Sequence, residues 1–177
     1  MKVRDRLLIA LAGSVGPVWI RARRNRYKRV SESIAGPKAV VLSRYFTLDL
    51  LESVRVATVD RIDEPWVFKL MSVVGRTPPV AMGGVSGLAI GDTIAVVSDA
   101  STSTVFHELV HVAQYRRLGL RRFACEYVRG WIDAGYQYSE IPLEVQAYTL
   151  QARFERGESF SVDDELALLG LGTAAVT

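Results

Sequence analysis

The sequence predicts a helix-rich α+β fold with one small sheet. Apolar residues recur at helical spacing over most of the chain, whereas short alternating or β-branched stretches are confined to its middle. With 177 residues, of which 49% are hydrophobic, the chain can bury one sizeable core. We expect one compact domain overall, in which residues 1–36 form a basic and apolar helical segment, 37–170 the main folded unit and 171–177 a frayed tail.

The first 30 residues carry most of the positive charge. They contain nine Lys/Arg and one acidic residue, Asp5, although the net charge of the whole chain is only +3. We expect a helix over residues 4–15, before Gly16 and Pro17 interrupt the pattern. We favour packing of this helix on the domain, and its alternative is a position on a membrane surface. The following basic cluster is typical of a solvated segment, and an anionic membrane surface or nucleic acid is its alternative partner. Its members are Arg21, Arg23, Arg24, Arg26, Lys28 and Arg29.

Cysteine content and the start of the chain bear on localisation. Cys125 is the single cysteine, so an internal disulfide is excluded, and its apolar neighbours favour a small buried side chain. The basic and then apolar start is similar to a signal peptide, but Asp5 and the lack of a small-x-small cleavage site argue against one. We expect a cytoplasmic protein; the alternatives are membrane association or export without a classical signal peptide.

The middle of the chain supplies the sheet. Residues 38–51 have helix-like apolar spacing, residues 54–59 alternate as a strand does, and residues 65–74 fit a short helix. Residues 85–98 form two apolar runs around the turn signal Gly91-Asp92, which predicts a β-hairpin. Because this hairpin directly precedes the helix with the chemical motif described below, we expect it to border the active cleft and to offer an edge to an extended peptide.

Helices fill the remainder of the chain. The apolar pattern predicts helices over residues 102–118, which Gly119 ends, and over residues 121–134. Pro142 begins a further helix to about residue 156, and residues 163–169 add a last turn or two.

The two histidines of the chain lie four residues apart, within the segment His107-Glu108-Leu109-Val110-His111. On a helix this spacing directs both imidazoles to the same side, where they can bind one zinc ion. Glu108 then reaches a zinc-activated water and can act as general base. The pattern is the HExxH signature of zinc hydrolases, most often metalloproteases.

A catalytic zinc needs a third protein ligand and an open position. The chain has no third histidine, so a carboxylate or Cys125 must serve, and Glu144 is the best candidate because it is a charged residue in an apolar helix. The rival carboxylates are Glu126, Asp133 and Glu140. We therefore predict one Zn²⁺ per chain, bound by His107, His111 and Glu144.

Further residues near the motif are candidates for supporting roles. Tyr148, Tyr138 and Tyr136 could donate a hydrogen bond to the transition-state oxygen, and Tyr148 is our candidate catalytic tyrosine. Gln114 lies one turn beyond His111 and could hydrogen-bond a ligand histidine.

The stretch from His107 to Tyr115, the pair Leu118-Gly119, the residues Phe123 and Tyr127 and the stretch 142–148 together resemble the bacterial zincin-like "eCIS core" domain family. Residues 51–56 and 89–95 are similar as well, so the resemblance covers roughly residues 50–148. It implies a zincin-like metalloprotease fold, with a small sheet packed on the HExxH helix, and it implies functional roles for His107, Glu108, His111 and the Glu144 position. Tyr148 occupies the position at which better-known glutamate zincins carry an aspartate.

These features predict a zinc-dependent metallopeptidase that hydrolyses peptide bonds in a peptide or protein substrate, with residues 37–170 as the catalytic domain. The alternative is an inactive zincin-like domain that binds zinc and serves in assembly or protein interaction. The sequence leaves the substrate, the cleavage preference and the oligomeric state open.

Overall fold

A computed structural model describes residues 2–62 and 85–168. In chain order its elements are α1 (Val3–Lys28), β1 (Glu32–Ser33), α2 (Gly36–Leu42), α3 (Leu48–Ser53), β2 (Arg55–Val59), β3 (Gly87–Ile90), β4 (Thr93–Val97), α4 (Thr102–Asp133), a 3₁₀ turn (Tyr138–Glu140), α5 (Pro142–Glu155) and α6 (Val162–Leu168). The predicted helix-rich α+β fold with a small sheet is confirmed. The helix predicted over 65–74 and the tail 171–177 lie outside the described residues.

The sheet has four strands in the order β1-β2-β4-β3. The parallel pair β2 and β4 forms its centre, and β1 and β3 flank it as antiparallel strands. β3 and β4 form the predicted hairpin, whose turn uses Gly91 at a φ of 67°. β3 is an edge strand of this sheet, and it packs directly against α4.

Helix α1 is much longer than predicted. The prediction ended it at residue 15, but it continues through Pro17 to Lys28, so the basic cluster lies on its last turns. A proline inside a helix removes one hydrogen bond and crowds the preceding turn. Beyond the proline, however, Ile20 and Tyr27 are buried in the core, and this burial offsets the local cost.

Helix α4 contains both helices predicted over residues 102–118 and 121–134. They join at Gly119, which has a φ of 71° and a ψ of 161° and therefore kinks the helix. Ser101 caps the helix start by accepting a hydrogen bond from the Thr104 backbone N–H at 3.0 Å. The kink lets two helical segments of one element face different neighbours.

The region between α1 and β2 differs from its prediction. Gly36 and Pro37 form the first turn of helix α2, because proline is tolerated in the first turn of a helix. The apolar pattern over 38–51 is divided between α2 and α3, and Thr47 caps α3 through its hydroxyl. Strand β1 was not predicted, because two exposed residues carry no hydrophobic pattern.

Aromatic packing fixes the start of α4 against the C-terminal helices. Phe106 stacks on Phe154 of α5 at a centroid distance of 4.4 Å, and Tyr45 meets both rings edge-on.

None of the helices within the described residues is long and apolar enough to cross a bilayer.

We predict that Asp92→Asn destabilises the fold and removes part of its acid sensitivity. Arg24 of α1 binds Asp92, at the hairpin turn, with both ends of its guanidinium. Burial alone would raise the pKa of Asp92, but hydrogen bonds from Arg24 and Thr93 and the charges of Arg24 and Lys28 lower it to about 2. A carboxyl group whose folded-state pKa is depressed contributes stability above its unfolded pKa and loses it as the pH falls.

The substitution should cost about 1 kcal/mol of unfolding free energy at neutral pH, because the pair is partly exposed to solvent. The difference from wild type should shrink between about pH 4 and pH 2. Urea unfolding at several pH values measures this, with Asp99→Asn, an exposed aspartate, as the control. A constant difference down to pH 2 would contradict the assigned ion pair.

Candidate metal centre

Three of the predicted site residues converge at one point. His107 and His111 lie one turn apart on the first segment of α4, and Glu144 lies in the first turn of α5. All three side chains are buried, with relative exposures of 7%, 6% and 2%. The packing of α5 on α4 brings the carboxylate to the imidazoles.

The potential ligand atoms form a nearly regular triangle. Nε2 of His107 lies 3.1 Å from Nε2 of His111, and Oε2 of Glu144 lies 3.3 Å and 3.4 Å from these two nitrogens. Oε2 is buried and has no hydrogen-bond partner among the described residues. A buried anionic oxygen without a donor, facing two ring nitrogens, is an arrangement that can hold a metal ion.

Two glutamines set the tautomers of the histidines. Nδ1 of His111 lies 2.8 Å from Oε1 of Gln114, while the amide nitrogen of Gln114 donates to the Leu143 carbonyl and to Gln146. These donor contacts fix the orientation of the Gln114 amide, so its oxygen must accept a hydrogen bond from the Nδ1–H group of His111. The hydrogen bond predicted between Gln114 and a histidine of the motif is present.

Gln151 sets the tautomer of His107 in the same way. Its Nδ1 lies 2.9 Å from Oε1 of Gln151, and the amide nitrogen of Gln151 donates to Ser103 and Glu155, both at 3.0 Å. Both histidines therefore carry a proton on Nδ1, and the Nε2 atom of each faces Glu144.

Tyrosine hydroxyls hold the other side of the carboxylate. Tyr127, on the second segment of α4, donates to Oε1 of Glu144 at 2.6 Å, and Tyr138 also hydrogen-bonds to Glu144. Burial beside the charge of Glu144 raises the pKa of both phenols far above the usual value, so they remain donors. One carboxylate oxygen is thus anchored, and the other is left facing the histidines.

The electrostatics of the centre favour a positive charge. Burial would raise the pKa of Glu144, but the charge of His111, the close Nε2 atoms of both histidines and the hydrogen bond from Tyr127 hold it far below its usual range. Burial would lower the pKa of His111, but the Glu144 carboxylate raises it to about 9. A buried carboxylate that stays ionised stabilises a proton or a metal ion between the three side chains.

Glu108 lies beside the triangle and under the edge strand. Burial raises the pKa of its carboxyl group, and its partner is the backbone N–H of Ala89 in β3. A Cβ built on Gly87 would lie 2.7 Å from Oε1 and 2.8 Å from Cγ of Glu108. The hairpin therefore reaches the site, as the sequence predicted, and a glycine at this position leaves room for the glutamate.

Tyr148 lies against the ligand histidine. Its ring packs on the His107 ring at a centroid distance of 4.4 Å, and about half of its surface is exposed. Tyr136 does not join the site, because its hydroxyl contacts Arg4 and Asp5 of α1. Of the three tyrosine candidates, Tyr148 lies beside a ligand and Tyr138 supports Glu144.

The rival third ligands lie elsewhere. Glu126, Asp133, Glu140 and Cys125 do not belong to the metal-binding group found among the described residues. Glu126 pairs with Arg129, and Cys125 packs under Gly13 of α1, near the Ile9 carbonyl.

The sequence did not reveal Gln151 or Tyr127 as part of the site. Gln151 lies seven residues after Glu144, two helical turns along the same face, so the assignment of Glu144 could have indicated it. Tyr127 lies in an apolar helical segment of the sequence, where a hydroxyl among apolar residues was the available signal. Gln151 is the residue that supports His107 through its Nδ1 atom.

Comparison of the chain with protein-family models, with curated proteins and with solved structures gave no match.

We predict that Gln151→Ala weakens divalent metal binding by about 10- to 100-fold, because His107 loses the acceptor that fixes its tautomer and ring orientation. Isothermal titration with Zn²⁺ measures the affinity, and circular dichroism reports whether the fold is retained. Gln137→Ala is the matched control, since Gln137 is exposed and precedes the 3₁₀ turn. Equal affinities for wild type and Gln151→Ala would show that Gln151 does not position His107.

Proposed function

We propose that the protein is a zinc metallopeptidase that hydrolyses peptide bonds. The observation that carries the proposal is the convergence of His107, His111 and Glu144, with Glu108 beside them under the edge of the sheet. Two imidazoles and one carboxylate are a donor set that suits Zn²⁺ and leaves a fourth position for water or substrate.

The separations of the ligand atoms support zinc. Bonds of about 2.0 to 2.1 Å in a tetrahedral site set the ligand atoms about 3.3 to 3.4 Å apart. The three separations here are 3.1, 3.3 and 3.4 Å, so small side-chain shifts suffice for binding. The site is also preorganised, because Gln114, Gln151 and Tyr127 hold the ligands from outside.

Glu108 is the proposed general base. When bound, zinc supplies a Lewis acid that acidifies water and polarises the scissile carbonyl. Glu108 takes the proton of the attacking water and passes it to the leaving amine. A buried carboxyl group with a raised pKa is matched to this work, since it must both accept and donate a proton near neutral pH.

The edge strand β3 is the proposed platform for the substrate. It contacts Glu108 through Gly87 and Ala89, so a peptide paired with β3 would pass beside the base. Backbone pairing holds an extended peptide with little demand on its side chains. Tyr148, half exposed beside His107, is the proposed donor to the transition-state oxygen.

The same features support a zincin-like fold and membership of the eCIS core domain family as part of the proposal. A small sheet packs on the helix that carries the histidines, and the third ligand comes from a later helix. Family membership rests on the motif residues, with Tyr148 at the position of the usual aspartate.

We predict that Glu144→Ala abolishes stoichiometric zinc binding, because two imidazoles alone leave the ion without its anionic ligand. Elemental analysis after gel filtration measures the metal content, and Glu126→Ala, a partly buried glutamate on α4, is the control. One tightly bound zinc in Glu144→Ala would show that Glu144 is not the third ligand.

We predict that Glu108→Gln retains zinc but loses peptide hydrolysis by about a hundredfold or more, because the amide keeps the shape and cannot accept the proton. Cleavage of a mixed peptide library, followed by mass spectrometry, measures the activity. Glu140→Gln, an exposed substitution of the same chemistry, is the control.

Equal cleavage by wild type and Glu108→Gln would remove Glu108 from the mechanism. A wild-type protein that holds zinc and cleaves no peptide in the library would favour the inactive, zinc-binding alternative.

A further inference from the structure

The outward face of α1 carries a stripe of exposed apolar side chains. Their spacing of four, four, four and three residues places them in one row along the helix. The buried residues of the same helix, such as Ala12 and Ile20, lie on its other side against α4 and the sheet. The stripe consists of Val3, Leu7, Leu11, Val15 and Val18, which are 76%, 65%, 47%, 49% and 64% exposed. A continuous exposed apolar row marks an interaction surface.

Basic residues continue this stripe. Arg21 follows Val18 by three residues and Arg29 follows it by eleven, so both lie close to the line of the apolar row. Arg4 lies near its start and is half exposed, and its guanidinium also contacts Asp5 and Tyr136. Arg24 and Lys28, by contrast, face the hairpin and pair with Asp92. The outward face therefore combines apolar and cationic groups, whereas the inward basic residues serve the fold.

A groove opens beside the stripe, between α1 and the kink of α4. Its volume is about 630 Å³, and Pro17 and Arg21 form the wall that belongs to α1. Leu118, Arg121 and Arg122 form part of the opposite wall. Arg121 and Arg122 are exposed, so three guanidinium groups with apolar neighbours surround one concave surface. This combination suits a phosphate group that is attached to an apolar body.

We propose that α1 docks the protein on an anionic phospholipid membrane. The apolar stripe enters the boundary between headgroups and acyl chains, as in amphipathic interfacial helices. Arg4, Arg21 and Arg29 bind the surface charge, and the groove takes one lipid phosphate between Arg21, Arg121 and Arg122. In this arrangement the helix lies along the membrane surface.

Charge favours this occupant over a second copy of the chain. Residues 1–30 carry nine basic residues and one acidic residue, so pairing two such helices would bring like charges together. An anionic membrane compensates the same charge. A nucleic acid would compensate it too, but it offers no apolar layer for five exposed aliphatic side chains.

Vesicle flotation with the full chain tests the proposal. Wild type should bind phosphatidylcholine vesicles that contain about one third phosphatidylglycerol, and it should bind pure phosphatidylcholine weakly. Leu7→Ser should lower the partition coefficient by about tenfold, because one aliphatic side chain leaves the membrane boundary. Leu48→Ser is the matched control, since Leu48 of α3 is 66% exposed, and it should bind as wild type does.

Arg21→Gln should weaken vesicle binding by about fivefold, and Arg121→Gln together with Arg122→Gln should weaken it further. Arg44→Gln, an exposed arginine outside α1, should have no effect. Circular dichroism verifies that each variant is folded. We expect the fold to be retained, because the substituted side chains are exposed.

Three outcomes would overturn the proposal. One is the absence of wild-type binding to the anionic vesicles at low salt. Another is equal binding by Leu7→Ser and wild type. The third is binding to a different partner without flotation on vesicles. That partner could be a second copy, seen as a dimer in analytical ultracentrifugation that Leu7→Ser dissociates, or duplex DNA, whose binding Leu7→Ser leaves unchanged.

Discussion

The buried carboxylate of Glu144 constrains the rest of the structure. An ionised carboxylate at 2% exposure is costly unless donors and positive charge surround it. The fold supplies both, because tyrosine hydroxyls hold Oε1 while the two histidines face Oε2. Packing of α5 on α4 therefore also brings together the three side chains that could hold a metal ion.

The kink at Gly119 makes this arrangement possible within one helix. The first segment of α4 carries the histidines, and the second carries Tyr127, which reaches the same glutamate. In a straight helix, Tyr127 would lie about 30 Å along the axis from residue 107. A positive φ with extended ψ is a conformation that glycine adopts without strain. Gly119 therefore allows both segments of α4 to contribute side chains around Glu144.

Local patterns predict the parts of this site that depend on one helix. The spacing of His107 and His111, and the position of Gln114 one turn later, follow from helical periodicity. Glu144 could be predicted because a charge in an apolar helix requires a partner. Tyr127 and Gln151 depend on how α4 and α5 pack, and no local pattern gives that. The predicted length of α1 was wrong for the same reason. Burial of Ile20 against other elements outweighs the local effect of Pro17.

Strand β3 and Glu108 restrict each other. Glu108 is buried against the strand, and its carboxylate accepts a hydrogen bond from the Ala89 backbone. Any side chain at position 87 would overlap Cγ and Oε1 of Glu108, so the strand must begin with glycine although glycine weakens strands. The adjacent turn at Gly91 and the ion pair of Asp92 with Arg24 hold the hairpin from its other end. Helix α1, through Arg24, therefore helps to fix the strand that positions Glu108.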